Sequence, residues 1–180
     1  MKESATAAHS WVRANAARVL GDLRVESAKA ALLDALAKDD SARVRSLAAI
    51  ALGRIAKPGD AAVTAALFSA ALTNGQKETD LVLRHALLTA LSQIATAADA
   101  AAKVGAASRE ERLLAVLVLR RQESGELVKF LGDADPLVEL EFWTAKAKNL
   151  NSIYAQLQSE KMLRVVGYLI FGSFYRSEQA

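Results

Sequence analysis

The chain has 180 residues and a mass of 19.2 kDa, with 52% hydrophobic and 24% charged positions, enough to bury a core as one domain and too apolar for a disordered tail. Thirty-eight alanines and 26 leucines against nine glycines, two prolines and 6% aromatics favour helix over strand and exclude an all-β domain. The net charge of +3 is spread, with 12 basic and 9 acidic residues in positions 1–90 and 11 of each in 91–180, which argues against a nucleic-acid partner because no basic stripe forms; the absence of cysteine removes disulfides, thiolate catalysis and Cys-based zinc or haem sites.

Met1 to Thr6 lacks the apolar core of a signal peptide, which predicts a cytoplasmic protein if the chain is complete and leaves the compartment open if it is a piece of a longer one. Apolar periodicity of the helical kind predicts paired helices at 9–22 with 26–38, 41–56 with 60–73, 79–95 with 97–106, 108–121 with 124–131, and 136–148 with 151–161. The first helices are copies of one another. Val12-Arg13-Ala14-Asn15-Ala16-Ala17-Arg18-Val19-Leu20-Gly21 returns 32 residues later as Val44-Arg45-Ser46-Leu47-Ala48-Ala49-Ile50-Ala51-Leu52-Gly53, identical at six of ten positions. Looser copies begin at Leu83, Glu111 and Val138, spaced 39, 28 and 27 residues apart. The polar run Thr73 to Thr79 accounts for the long spacing and is expected to be a protruding loop.

Helix starts need side-chain acceptors for unpaired N–H groups, and Ser27, Asp40 or Ser41, Asp60, Asp80, Ser108 and Asp135 stand where they are wanted. Ser108 with Glu111 and Thr96 with Asp99 read as capping boxes, and Pro136 fits a first helical position. Gly21, Gly53 and Pro58-Gly59 read as helix terminators.

The VRxxAAxxLG core, its Asp or Ser start signals and the short two-helix unit resemble HEAT-like repeats, in particular the short bacterial variety similar to the HEAT-like repeats of bilin lyases. The resemblance is strong over 9–73, fair over 79–148 and ends near residue 150. It implies an all-α fold, a right-handed α-solenoid of about five helix pairs over 1–162, with residues 163–180 as an apolar cap or docking tail. It also implies a non-enzymatic scaffold or adaptor that offers the concave surface of its second helices to another protein. A bilin-lyase-like chromophore-handling factor and, more weakly, a HEAT-like DNA-binding protein are the alternatives. Stacked amphipathic pairs bury a continuous core that one pair alone cannot, and exposed ends invite self-association.

Arg13, Arg45, Arg84 and Arg112 recur at one position of four successive units, and are expected to form a structural ladder in which each guanidinium bonds an acidic or carbonyl group of the adjoining unit. Candidate partner-binding residues are Trp11 at the N-terminal edge, Lys29, Lys38 and Lys129 on second helices, and Tyr168, Phe171 and Phe174 in the tail. Phe142 and Trp143 replace the Ala-Ala pair of earlier units, which marks the fifth as an end unit. His9 and His85 have no carboxylate cluster beside them in sequence, and no GxSxG, GxGxxG or GxxxxGK[ST] occurs, so no catalytic residue, cofactor or metal is expected. Val165 to Phe171, the most apolar run, is far short of the roughly 20 residues a membrane crossing needs.

Overall fold

The computed structural model describes residues 2–71 and 80–147, with side chains from residue 9 to residue 145. The chain divides into two compact units, Met1–Glu141 and Phe142–Ala180. The expected helix at 151–161, the loop at 73–79 and the 162/163 boundary lie outside the described residues.

Among the described residues the elements are helices joined by short turns. They are α1 (Lys2–Asp22), α2 (Lys29–Lys38), α3 (Ala42–Ile55), α4 (Ala61–Ser69), α5 (Leu81–Ile94), α6 (Ala97–Ala101), α7 (Arg109–Arg121) and α8 (Pro136–Ala147). Single 3-10 segments precede α2 at Glu26–Ala28, extend α6 at Ala102–Gly105, and occupy Gly125–Phe130. The α-helical parts of α2, α4 and α6 are shorter than the expected 26–38, 60–73 and 97–106, and two departures are larger. The first helix begins at Lys2 rather than near 9, and the second helix of the fourth pair is not α-helical. Its six residues open on a helix-weakening glycine, and the Ser124 side chain draws the Glu126 N–H into the tighter turn at 3.2 Å, which favours three-residue ladders over a short α-helix.

In the first unit, α3 packs extensively against α1 on one side and α5 on the other, while α7 follows α5; α2, α4 and α6 cover the flank. The helices exist because each places a wide apolar stripe on this core: Val44, Ala48, Ala51, Leu52 and Ile55 on α3, and Leu83, Leu87, Leu91 and Ile94 on α5, are all buried. Leu67 and Phe68 of α4 and Leu114 and Leu119 of α7 complete it with no or almost no exposed surface.

Gly21 and Gly53 correct the sequence reading. Both lie inside their helices and terminate nothing. A Cβ on Gly21 would stand 2.7 Å from Cα and Cβ of Ala51, and one on Gly53 2.7 Å from Cα and 2.8 Å from Cβ of Ala90, so each glycine exists to let a neighbouring helix approach backbone to backbone. Termination falls elsewhere. Arg24 and Glu123, both with φ of 51°, end α1 and α7 in left-handed turns. In these Schellman motifs Val25 N–H bonds Leu20 O at 3.0 Å and Ser124 N–H bonds Leu119 O at 3.0 Å.

Of the expected caps, Asp60 accepts from Val63 N–H, Asp80 from Val82 and Leu83 N–H, and Asp135 from Leu137 N–H, while Thr96 and Asp99 close a full capping box. Ser41 and Ser108 occupy cap positions without a side-chain bond. The expected Ser108–Glu111 box is not made: the Glu111 carboxylate turns to Lys103 Nζ, 3.5 Å away. Ser27 lies within the 3-10 turn ahead of α2, whose cap position is Ala28.

Candidate protein-binding surface

The recurring arginines sit at the same register of α1, α3, α5 and α7. Arg13 on α1 grips the lead-in to α3, with Nε 2.7 Å and Nη2 3.0 Å from the Asp39 carboxylate and Nη2 2.9 Å from Asp40. Arg112 on α7 repeats this at the lead-in to α8, with Nε and Nη2 at 2.8 and 3.2 Å from Asp133. The receiving aspartates are equivalent too: Asp39 accepts from Ser41 N–H at 2.9 Å and Asp133 from Asp135 N–H at 2.8 Å, so each folds its own turn while it holds the arginine.

Arg112 also reaches back to the carbonyls of Ala106 and Ala107 at 2.7 and 3.3 Å. Arg45 does the same with Asp39 O and Asp40 O at 2.8 and 3.2 Å, and is only 2% exposed. Its described bonds therefore go to the lead-in of its own helix. Arg84 meets Glu110 at 2.9 Å, a carboxylate supplied from inside α7 because Ala106 stands where Asp39 and Asp133 do in the other units. The arginine beside it and the Ser41 amide hold the Asp39 carboxyl below the ordinary aspartate range, and Asp39 in turn raises the Arg13 guanidinium.

Second-helix lysines are already engaged. Lys29 bonds Asp60 across units at 2.9 Å, holding that carboxyl low together with the Val63 amide. Lys38 pairs with Asp34 at 2.5 Å, which raises its ammonium pKa, and Lys129 pairs with Glu126 at 2.6 Å. Around them the outward positions of α2, α4 and α6 are small: Ala30, Ala31, Ala61, Ala65 and Ala98 are exposed. Trp11 is 57% exposed on α1, and Val12 and Val19 of the same helix and Leu23 just after it are open to solvent as well. Phe142 and Trp143 meet edge to face, ring centroids 5.0 Å apart, in the second unit. Tyr168, Phe171 and Phe174 lie outside the described residues.

Sequence reasoning missed the pairs that cross units between nonidentical rungs. Arg54 contacts Asp22, and Arg120 contacts Glu141. The first was findable, because Asp22 and Arg54 are separated by the 32-residue repeat itself, and opposite charges at one repeat position become neighbours in a stack. Gln122 donating to Ala95 O at 2.8 Å carried no such signal.

The pattern of repeated helix pairs joined by repeated clamps meets its match in a protein family. The description HEAT repeats fits residues 2–92, half of the chain. The chain belongs to the HEAT repeat family. HEAT repeats generally mediate protein–protein interaction and are generally non-enzymatic. Comparison with curated proteins returns no match. Among the described residues no group of acidic and histidine side chains could hold a metal ion, and no helix is long and apolar enough to cross a membrane.

Proposed function

We propose that this HEAT-repeat chain is a non-enzymatic scaffold or adaptor that presents the face formed by its second helices to another protein. The observation that carries the reading is the division of labour between the two helix sets. Arg13, Arg54, Arg84, Arg112 and Arg120 of the first helices are spent on clamps between units, while the second helices turn exposed alanines outward and neutralise Lys29, Lys38 and Lys129 with acids of the chain itself. A surface of small side chains with its lysines already paired suits a protein partner, since little side-chain ordering is lost when it is covered. The same ion pairs speak against the DNA-binding alternative, which needs cations free to replace phosphate counterions. No observation favours chromophore handling.

The test is site-specific photo-crosslinking in cells, with a benzophenone amino acid placed in turn at Ala31, Ala65 and Ala98. Discrete protein adducts at these positions, absent when the probe replaces exposed Glu123, are expected. Adducts dominated by nucleic acid, or none at all three sites, would overturn the proposal.

A further inference from the structure

We infer that the groove between α3 and α5 is a second docking site, which takes an amphipathic helix of a partner protein carrying a carboxylate at one flank of its apolar ridge. This site lies on the first helices and goes beyond the second-helix face proposed above.

The groove has a volume of about 460 Å³, within the range of real binding clefts. Leu47 and Ile50 of α3 and Val82 and Ala86 of α5 give it an apolar floor and wall. Val82 is 67% exposed and Leu81 beside it is 75% exposed, a large apolar surface left uncovered where α5 begins. On α3, Arg43, Leu47 and Ile50 follow one another at helical spacing along the groove, so it runs parallel to a helix for about two turns, roughly 11 Å. That length and direction suit a second helix whose i, i+3 or i+4, and i+7 side chains drop into it.

Charge selects among such helices. Arg43 and His85 line the groove, and neither makes a hydrogen bond or ion pair among the described residues. Arg43 differs in this from Arg13, Arg54, Arg112 and the three second-helix lysines, each of which has an acidic partner. Asp80 also borders the groove, yet its carboxylate is committed to the Val82 and Leu83 amides at the positive end of α5. An unpaired guanidinium at the rim of an apolar trough is complementary to a carboxylate on the incoming helix, and its geometry favours a paired, two-point contact.

The experiment measures fluorescence anisotropy of two labelled synthetic helices against the full chain. One carries leucines at i, i+3 and i+7 with a flanking glutamate; the other has lysine in place of that glutamate. The glutamate helix is expected to bind the unmodified chain, at least tenfold more weakly to Val82→Asp, and more weakly to Arg43→Glu. The lysine helix should regain affinity for Arg43→Glu, a swap that no general unfolding can mimic. Both substituted positions are exposed, and circular dichroism verifies that the fold is kept. Glu123→Gln at the end of α7 should leave binding unchanged. Failure of the glutamate helix to bind, indifference to Arg43→Glu, loss of binding on Glu123→Gln, or displacement by dodecanoate would each overturn the inference. None of these results bears on the crosslinks at Ala31, Ala65 and Ala98, so the two proposals fail separately.

Discussion

Between α1 and α3, and again between α3 and α5, a glycine of one helix lies against an alanine of the next: Gly21 on Ala51, Gly53 on Ala90. At the corresponding register of α5 and α7 stand Ser92 and Val118, and these two helices pack less extensively. The later seam is held by polar bridges. Arg84 reaches Glu110, Lys103 reaches Glu111, and Gln122 spans to Ala95 O. Polar bridges also join α1 to α3 and its lead-in, Arg54 to Asp22 and Arg13 to Asp39 among them, so what sets the early seams apart is the added close backbone packing where both residues are small.

The sharpest way to break this comparison is to fill a tight seam. Gly53→Ala should cost about 1–3 kcal/mol in a urea melt, because the clash with Ala90 backbone outweighs the gain in helix propensity of about 1 kcal/mol. Ser92→Ala at the equivalent site, which loses only a bond to Leu88 O of its own helix, should stay within about 0.5 kcal/mol. Equal losses at both would erase the distinction.

The clamps come next. Arg112 is mostly buried and bonds a carboxylate and two carbonyls, so Arg112→Ala should cost about 2 kcal/mol, and Arg112→Lys should fail to restore it because an ammonium cannot make the paired contact. Arg13 is more open to water, so its replacement by Ala should cost clearly less than that of Arg112.

Acid should weaken the first units in a definite window. The Asp39 and Asp60 carboxyls are held below the ordinary aspartate value near 3.9, so the unfolded chain takes up protons first. Their contribution is whole above that value and lost as pH falls through the depressed folded values. Asp39→Asn should therefore flatten the acid limb of a stability-against-pH curve; an unchanged limb would contradict the clamp. The last effect expected is a gain. Arg24→Gly and Glu123→Gly should each stabilise by about 1 kcal/mol in thermal melts, since both residues hold left-handed φ.

How much of this was legible in the sequence depends on whether the signal was local or relational. The 3.6 periodicity placed nearly every helix of the first unit, and Asp60, Asp80 and Thr96 announced their caps, because a cap is decided by three or four adjacent residues. Gly21 and Gly53 misled for the same reason. Read locally, a glycine after Leu20 or Leu52 looks like a helix end; only the packing of Ala51 and Ala90 reveals its use. The recurring arginines were visible as repeats, whereas their acceptors were not: Asp39 and Asp133 share a position, but Glu110 replaces that position from another one. The groove beside Arg43 was invisible, since an unpaired charge is defined by what its neighbours fail to do in space.

Native-state amide hydrogen exchange across residues 9–141 tests the two-seam account most directly. The account predicts slowest exchange in α3, which is held closely on both sides, slower exchange in α5 than in α7, and faster opening of α7 without unfolding of α3. Uniform protection from α3 to α7, or amides of α7 that outlast those of α3, would contradict it.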